Sequence, residues 1–271
     1  MRDSLYENLP YMLSEQKHFY GQNVHLVGNP YLLSLLATLC AKDTIQPAVT
    51  SLVKMLYTDL VTMALNREFP RKQVAIPTRM IEHTPRGMYQ GEILDPDVRA
   101  ISVNIARAGT LPSQVTYELL NVILNPKLVR QDHIIMSRML DTADVVVGSS
   151  IGGAKIGGDV DGAMVLFPDP MGATGSSLST AIEMYKKKVP GTMRRVVCLH
   201  LIVTPEYLKR MKADHPDVVV YALRLDRGMS SPEVFSTAPG ELWEKERGLD
   251  DRQYIVPGAG GMGEVLNNAY V

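Results

Sequence analysis

Hydrophobic residues in the first quarter of the chain recur at helical spacing. One stripe comprises Leu32, Leu35, Leu36 and Leu39, and a second comprises Leu52, Met55, Leu56, Leu60 and Met63. Pro47 lies between the stripes, and a proline inside a helix removes a backbone donor and clashes with the preceding turn. The pattern therefore predicts two helices within residues 31–65, broken at Gln46-Pro47, and a mixed, turn-like segment over residues 1–28.

Short apolar segments dominate the rest of the chain and alternate with helical stretches. The apolar segments are Ala100–Ile105, His133–Met136, Met164–Phe167, Val196–Val203 and Val218–Tyr221. The helical stretches between and after them include Ser113–Leu124, Ser177–Lys188 and Pro205–Ala213. This alternation is typical of a mainly parallel sheet covered by helices. We expect one large α/β domain with a small appendage, for which 271 residues and 45% hydrophobic content suffice.

Composition excludes some classes of function. The formal net charge is −1 and basic residues form no tract, which argues against general nucleic-acid binding, because that needs clustered Lys and Arg. The segment Met1–Glu7 has no apolar signal core, and no run of about 18 apolar residues occurs. We therefore expect a cytoplasmic protein that binds no membrane. Cys40 and Cys198 lie far apart in apolar runs and are expected to be reduced core residues.

The segment Asp144–Asp161 is rich in glycine and could be mistaken for a nucleotide-binding loop. It has neither the GxGxxG spacing nor a following helix, which that loop requires. A long hairpin within the segment, with strand residues on both sides of a turn, fits better. A surface hairpin without a role is the alternative.

Residues 165–186 predict a strand, a glycine-rich turn and a helix in direct succession. Gly172 and Gly175 allow close backbone approach, and the turn 173–177 lies at the helix N-terminus, where N–H groups and the helix dipole attract an anion. Thr174, Ser176 and Ser177 add hydroxyl groups. A phosphate is the ligand that this turn favours, and an ordinary helix cap is the alternative.

Asp169 ends the predicted strand, between two prolines. Open α/β sheets bind ligands beyond the carboxyl ends of their strands, so this carboxylate should lie beside the anion site. A carboxylate repels a bare phosphate and accepts hydrogen bonds from sugar hydroxyls. The combination suits a sugar phosphate.

Arg107 and His200 are two further residues with side chains suited to chemistry. Arg107 follows the strand at Ala100–Val103 and precedes a helix that begins near Pro112, so its planar fork of donors suits diphosphate oxygens. A surface salt bridge is the alternative for Arg107. His200 lies inside an apolar strand, where a hydrogen-bonded structural histidine is more common than a catalyst.

These motifs together resemble a known family. Asp169-Pro-Met-Gly-Ala-Thr-Gly-Ser-Ser177 resembles the loop of type I phosphoribosyltransferases that binds phosphoribosyl diphosphate (PRPP), and its Asp-Pro-Met-x-Ala-Thr-Gly form is similar to the uracil phosphoribosyltransferase branch. Ile105-Ala-Arg-Ala-Gly109 resembles that branch's Leu-Arg-Ala-Gly turn, and Tyr254-Ile-Val-Pro-Gly258 its uracil-binding segment. Residues 29–70 resemble its N-terminal helical arm. The resemblance covers nearly the whole chain after about residue 24, in the family's order.

The resemblance implies a fold and a reaction. We expect a single type I phosphoribosyltransferase domain over residues 1–271: a helical arm at 1–70, a PRPP-binding core at 71–224 with a mobile flap at 137–163, and a base-recognition hood at 225–271. The reaction implied is transfer of the phosphoribosyl group from PRPP to uracil, which gives UMP and diphosphate. A homodimer and, in some family members, a GTP effector are also implied. The apolar stripes of the N-terminal helices agree with a dimer, because they exceed what one sheet face should need.

The resemblance also assigns site residues. Asp169, Arg107 and Arg138 are expected to be catalytic, with Mg²⁺ held mainly by PRPP oxygens and water and not by a protein cage. Arg79 and Arg86 compete for a third diphosphate contact, and Arg79 fits better because it follows the strand-like Val74–Ile76. The PRPP-binding set is Arg79, Arg107, Asp169, Pro170, Met171, Gly172, Ala173, Thr174, Gly175, Ser176, Ser177 and Gly261. The uracil-binding set is Ile255, Gly260, Gly261 and Met262.

The chain departs from the family pattern in two places. Where the family continues Leu-Gly-Asp-x-Gly-Asp, this chain has Ala259-Gly-Gly-Met-Gly-Glu264, so Gly261 replaces an aspartate and Glu264 matches the second acid. Restoring an aspartate at 261 should tighten PRPP binding, unless a positive φ or the volume of Glu264 opposes it. The second departure is a long excursion at 227–253, which Trp243 and Phe235 are expected to anchor. A different base, or a PRPP- or UMP-binding module with little turnover, remains an alternative function.

Overall fold

The computed structural model describes the backbone of residues 11–140 and 146–270, and the side chains of all of these except 137–140 and 146–149. Its strands are β1 (Val24–Leu26), β2 (Arg71–Pro77), β3 (Met88–Leu94), β4 (Ala100–Ala106), β5 (Val129–Leu140), β6 (Val146–Lys155), β7 (Met164–Pro168), β8 (Met171–Gly172), β9 (Arg195–Val203) and β10 (Val219–Leu225). Its helices are α1 (Pro30–Cys40), α2 (Ala48–Glu68), α3 (Thr110–Ile123), α4 (Ser176–Lys188), α5 (Pro205–Asp214), α6 (Pro232–Phe235) and α7 (Met262–Asn267). Short 3-10 helices lie at Arg79–Glu82, Pro126–Leu128 and Trp243–Lys245.

The central sheet has eight strands within the described ranges. Its order is β1-β10-β9-β7-β4-β5-β6, with the two-residue β8 paired to β9. Every pairing is parallel except that of β5 with β6, which is antiparallel. The predicted mainly parallel sheet is therefore confirmed, and each of the five apolar segments forms one of its strands.

Successive residues of the central strands bury opposite faces of this sheet. In β7, Leu166 packs with α1, α2 and α3 on one face, while Val165 and Phe167 pack with α4 and α5 on the other. All five residues of β7 are buried, which explains why the segment shows a continuous apolar run and no alternation. Helices thus cover both faces and leave the carboxyl ends of the strands for a site.

The N-terminal helices pack directly on the sheet. The predicted break at Gln46-Pro47 is confirmed, and that peptide bond is cis. By length and composition alone α2 could cross a membrane, but eight of its residues are buried in the core, and Tyr57 donates through its hydroxyl to the Leu199 carbonyl at 3.0 Å. This is the packing of a core helix. The division of the chain into arm, core and hood stays a prediction.

The expectation of a mixed, turn-like segment over residues 1–28 is wrong for residues 24–26. They form β1, which pairs in parallel with β10 through Val24–Val220 and the next two positions. Three residues are too few to show an alternating pattern, and the pairing partner lies almost 200 positions away. No local signal could have revealed this strand.

The glycine-rich segment also differs from its prediction. Val146–Lys155 forms one strand, β6, antiparallel to β5 from His133–Lys155 to Leu140–Val146. The hairpin is therefore formed by strands β5 and β6. The prediction from sequence had placed both of its strands within residues 144–161. The connection at 141–145 lies outside the described residues. Gly157 at the base of β6 donates through its N–H to the buried Asp132 carboxylate at 2.9 Å, which anchors this end.

A separate two-stranded sheet, β2–β3, projects from the core. It is antiparallel from Arg71–Leu94 to Pro77–Met88, and its side chains are mostly exposed. The sequence indicated strand character only at Val74–Ile76. Because neither strand joins the core, the segment lacks the apolar run that marked the central strands.

Candidate active site

A cavity of about 460 Å³ lies at the carboxyl ends of β4, β7 and β9. Three segments far apart in sequence meet there: the turn after β4, the loop from β7 to α4, and the C-terminal segment that leads into α7. This is where parallel α/β sheets place their ligands. The predicted site residues that line the cavity are Arg107, Asp169, Met171, Gly172, Ala173, Thr174, Gly175, Ser176, Ser177, Ile255, Gly260, Gly261 and Met262.

Three predicted residues stand apart from this group. Pro170 is buried beneath the loop, and its carbonyl accepts from Leu201 N and Ile202 N. Arg79 begins the exposed 3-10 helix between β2 and β3, so the structure does not bring it to the cavity, and its competitor Arg86 is exposed on the same connection. The side chain of Arg138 lies outside the described residues. Its PRPP role and that of Arg79 stay predictions.

The loop from β7 to α4 requires its glycines. Gly175 is the N-cap of α4 with φ +77°, and a Cβ there would come within 3.2 Å of the Tyr207 ring and of Arg210. A Cβ on Gly172 would meet Val203 at 2.9 Å and Tyr207 at 3.0 Å. The loop backbone therefore rests directly on β9 and α5, closer than any side chain would allow.

The N-terminus of α4 faces the cavity. No side chain caps Gly175, while Thr174 Oγ1 accepts from Ser176 N at 3.3 Å. One N–H group at this helix end is thus bound by a hydroxyl, while the N-cap residue itself carries no capping side chain. A helix of 13 residues begins here, and the positive end of its dipole faces the cavity, which favours a phosphate group.

Asp169 lies beside this helix end. One of its carboxylate oxygens accepts from Met171 N at 3.2 Å, which turns the side chain back over its own loop. Burial, only partly offset by this hydrogen bond, raises the pKa of the Asp169 carboxyl to about 6. The carboxylate is nevertheless partly exposed to the cavity, so its remaining lone pairs are available to hydroxyl donors.

The Arg107 turn packs against the strand that carries Asp169. A Cβ on Gly109 would lie 2.8 Å from the Ile105 carbonyl oxygen and 3.2 Å from that of Pro168, so only glycine fits the approach of the turn to β7. The Ala106–Arg107 peptide is cis. Arg107 donates to the Ala269 carbonyl at 3.3 Å and has no carboxylate partner among the described residues. Its guanidinium thus keeps donors for an anion.

The C-terminal segment is held over the cavity by a buried carboxylate. Asp226, at the end of β10, accepts from Arg224 and, at 2.8 Å, from Gly258 N. Gly258 and Gly260 have φ of +60° and +69°, which brings the backbone sharply round before α7. This fixes the main-chain groups of the loop 255–262 against the cavity.

Glu264 takes the space beside Gly261. Gly261 has φ −78°, so its backbone imposes no left-handed conformation, but a Cβ there would collide with the Glu264 carboxylate. Glu264 also lines the cavity and joins Asp169 as an acid at its rim. Glu264, which matches the second acid of the family pattern, thus places its carboxylate beside the position where the first acid is missing.

The excursion at 227–253 is anchored by residues that sequence patterns did not connect. Trp243 donates through its indole N–H to the Pro205 carbonyl at 3.0 Å and packs edge-on against Tyr20. Glu206 accepts from Gly248 N at 2.9 Å, and the fully buried Glu246 accepts from Tyr20 and Arg227. The predicted anchor Trp243 is confirmed, whereas Phe235 is half exposed, with Arg227 beside its ring.

The excursion also delivers residues to the cavity that the sequence analysis missed. Arg252, Gln253 and Tyr254 line it, as do His200 and Tyr207 from beneath. Tyr254 begins the segment that resembles the family's uracil-binding segment, so that resemblance could have placed it in the uracil-binding set. Arg252 and Gln253 belong to the excursion and lie just before the Tyr254–Gly258 motif, so no motif pointed to them.

Comparison with known proteins agrees with this geometry. The family model described as uracil phosphoribosyltransferase matches residues 26–242. A uracil phosphoribosyltransferase from Variovorax paradoxus is 28% identical over 89% of this chain and 96% of its own length, and one from Streptococcus mutans is 30% identical over the same shares. The solved structure of the AQ2163 protein from Aquifex aeolicus aligns with a TM-score of 0.69 and 23% identity over 92% of this chain and 99% of that chain. This last likeness shows a shared fold.

A parallel α/β sheet with an anion-binding loop and an acid at the end of one strand defines the class of type I phosphoribosyltransferases. The chain belongs to the uracil phosphoribosyltransferase family.

Proposed function

We propose that this chain transfers the phosphoribosyl group of PRPP to uracil and releases UMP and diphosphate. One observation carries the proposal: in a member of this family, the Asp169 carboxylate, the N-terminus of α4 and the Arg107 guanidinium line one cavity. The helix end suits the 5′-phosphate, the carboxylate the ribose hydroxyls, and the guanidinium the diphosphate. Each part of PRPP thereby has a partner of matching chemistry.

The chemistry is a displacement at C1 of the ribose. As the bond to diphosphate breaks, positive charge develops on the sugar ring and negative charge on the leaving group. Arg107, and Arg138 from the flap, would stabilise the departing diphosphate. Asp169 would hold two ribose hydroxyls and so place C1 against the base. Uracil N1 loses its proton as its bond to C1 forms, and a main-chain carbonyl or an ordered water would accept that proton, so no side chain is assigned as general base. A closing flap keeps water from the activated centre.

The donor set suits a magnesium ion bound chiefly by the substrate. Asp169 and Glu264 are the acids that line the cavity, and the described residues contain no cluster of three or more His, Cys, Asp or Glu that could form a cage. Mg²⁺ commonly keeps several waters and takes one or two carboxylates with phosphate oxygens. When bound, it would neutralise part of the diphosphate charge.

Base recognition falls to the loop 255–262. Ile255, Gly260, Gly261 and Met262 line the cavity, and we assign the contact with the base to their main-chain groups. Peptide N–H and carbonyl groups can pair with the alternating donors and acceptors of a uracil edge. Because the family match ends at residue 242, before this loop, a different base is the competing proposal.

A panel of bases tests the proposed function. Uracil, cytosine, adenine, hypoxanthine and guanine would each be incubated with PRPP and Mg²⁺, and diphosphate release would be measured. Release with uracil and UMP as the product are expected. Release with another base but none with uracil would establish the competing specificity. If none of the five bases gives diphosphate release, the chain is a module that binds PRPP or UMP without turnover.

We also propose a cytoplasmic homodimer. The apolar stripes that motivated a dimer prove to be mostly core: Leu32, Leu36, Leu39, Leu56 and Leu60 are buried. Large exposed apolar side chains instead cluster on the β2–β3 projection, at Ile76, Met80, Ile81 and Tyr89. Such a patch favours contact with a second copy. Light scattering at micromolar concentration should return twice the 30.0 kDa chain mass.

A GTP effector, which the family resemblance implies for some members, can be tested by adding GTP to the diphosphate-release assay.

A further inference from the structure

His200 and Tyr207 form a hydrogen-bonded pair directly beneath the PRPP loop. His200 Nδ1 lies 2.6 Å from the Asp169 carbonyl oxygen, and His200 Nε2 lies 2.6 Å from the Tyr207 hydroxyl. Both side chains are buried, at 1% and 0% exposure, yet both reach the floor of the cavity. Neither is used by the chemistry described above.

The roles within this chain of hydrogen bonds are fixed by its ends. A carbonyl oxygen can only accept, so His200 Nδ1 carries the proton and donates to Asp169. His200 Nε2 is then the acceptor, and the Tyr207 hydroxyl donates to it. Burial lowers the pKa of the His200 imidazole to about 4, which agrees with a neutral ring that keeps one donor and one acceptor.

Loop carbonyls point down onto β9 and the residue that follows it. The Pro170 carbonyl accepts from Leu201 N and Ile202 N, and the Gly172 carbonyl from Thr204 N at 3.0 Å. The Ala173 carbonyl accepts from Thr204 Oγ1 at 2.6 Å. The carbonyl of Asp169 is bound by a side chain, that of His200, so this tie depends on residue type.

Tyr207 supports the loop a second time, through its ring. A Cβ on Gly172 would lie 3.0 Å from that ring and one on Gly175 would lie 3.2 Å from it, with Val203 and Arg210 equally close. The backbone N–H of Tyr207 donates to Thr204 Oγ1 at 3.0 Å. The hydrogen bond from the Tyr207 hydroxyl to His200 therefore helps to hold the Tyr207 ring in place against Gly172 and Gly175. The pair links the residue that carries the reactive carboxylate to the turn that faces the phosphate.

We infer that His200 and Tyr207 are positioning residues for PRPP: together they hold the Asp169 backbone and the glycine turn in the geometry that binds the ribose and its 5′-phosphate. The inference rests on the proposed function. It assigns to a buried His–Tyr pair an effect on ligand affinity, and not merely on folding. Neither residue belongs to the loop motif.

The first test removes one hydroxyl. Tyr207→Phe keeps the ring and breaks the bond to His200, and Tyr221→Phe is the matched control, because it removes another buried hydroxyl, whose 2.8 Å bond goes to Glu68 away from the cavity. We expect Tyr207→Phe to raise the KM for PRPP and the Kd for UMP about three- to tenfold, while the control leaves both unchanged. A purely structural role would lower the melting temperature and kcat without moving either constant. Equal ligand constants in Tyr207→Phe, control and wild type would overturn the inference.

The second test separates the two bonds of His200. His200→Asn keeps an amide donor near the Asp169 carbonyl, whereas His200→Leu removes it at similar volume. Affinity for UMP, measured by calorimetry, should fall further in the leucine variant than in the asparagine variant. Wild-type affinity in both His200 variants would contradict it. If the leucine variant does not fold, Tyr207→Phe and His200→Asn decide. Absence of turnover with uracil in the wild type would count against the proposed function alone, since the calorimetric comparison needs no turnover.

Discussion

A carboxylate oxygen of Glu264 occupies the position that the Cβ of any side chain at residue 261 would take. The two residues lie at the start of α7, where one helical turn brings positions three apart onto the same side. A side chain at 261 would therefore require the Glu264 carboxylate to move from its present place in the cavity lining.

Restoring the family aspartate should consequently fail on its own. Gly261→Asp is expected to raise the KM for PRPP, because the new side chain must displace Glu264 or repel its charge. The double variant Gly261→Asp/Glu264→Ala should recover most of the loss, since it removes the carboxylate that the new side chain would meet. Steady-state kinetics with PRPP varied at saturating uracil measures both. A lower KM in the single variant would show that both acids fit, contrary to the structure.

Asp169→Asn should abolish most turnover while the fold is retained. The amide keeps the shape of the carboxylate but cannot accept two ribose hydroxyls, and we expect kcat to fall by at least about a hundredfold. Circular dichroism and diphosphate release measure the two properties. Glu183→Gln, an exposed change on α4, is the control. A near-normal rate in Asp169→Asn would mean that Asp169 is a turn residue without a catalytic role.

The raised pKa of Asp169 predicts an unusual pH dependence of stability. The folded pKa of about 6 lies above the ordinary value of 3.8, so the folded chain binds this proton more tightly than the unfolded chain. Ionised Asp169 therefore destabilises the fold above about pH 6, and the effect disappears below about pH 4. Asp169→Asn should raise the melting temperature at about pH 8 and leave it nearly unchanged at about pH 4. The same difference in melting temperature between variant and wild type at both pH values would contradict a raised pKa of the Asp169 carboxyl.

The pKa of Asp169 also sets a limit on activity. Because the ionised form accepts the ribose hydroxyls, kcat/KM for PRPP should decline as the pH falls below about 6. This parameter reports the free enzyme, so the inflection belongs to the chain without ligand. A profile that stays flat down to about pH 5 would place the essential ionisation elsewhere.

The Glu206 carboxylate should control affinity for the base. It accepts from Gly248 N at 2.9 Å and from Leu249 N, just before the segment that lines the base end of the cavity. Glu206→Gln weakens both bonds by removing the charge, so the KM for uracil should rise about three- to tenfold with the KM for PRPP unchanged. Equal increases in the two constants would show that the hood and the PRPP loop move as one unit.

Glu246 should be the strongest anchor of the excursion. It is fully buried, and it accepts from Arg227 at 2.7 Å, from Gly240 N at 2.8 Å and from the Tyr20 hydroxyl. Glu246→Ala leaves Arg227 buried without its counter-charge and should lower the free energy of unfolding by about 3 kcal/mol. Glu244→Ala, two residues earlier and exposed, should cost less than about 1 kcal/mol. Urea denaturation compares them, and similar losses in both would show that Glu246 is solvated.

Sequence alone specified the parts of this molecule that local chemistry determines. Local sequence predicted three neighbouring features, namely the apolar run of β7, the glycine turn and the start of α4, because each depends on residues next to one another. The turn at Arg107 could be predicted for the same reason, since its glycine is two residues away. The break at Pro47 belongs to this group. These features account for the sheet class and for the centre of the cavity.

The features that sequence did not show depend on distant partners. β1 exists because β10 pairs with it, and the β5–β6 hairpin takes its limits from an antiparallel register that composition does not encode. His200 and Tyr207 meet because a strand residue and a helix residue face the same loop from below. The tie between Glu206 and Gly248 spans 42 positions. None of these contacts leaves a period or a motif in the chain.

Glu206 and Tyr207 are consecutive residues, and they hold opposite ends of the cavity. Glu206 fixes the hood through Gly248, and Tyr207 fixes the phosphate end through the glycine turn. One peptide unit in the first turn of α5 therefore joins an anchor of the hood to a support of the glycine turn. A substitution that unwinds this turn should weaken binding of the base and of the phosphate together.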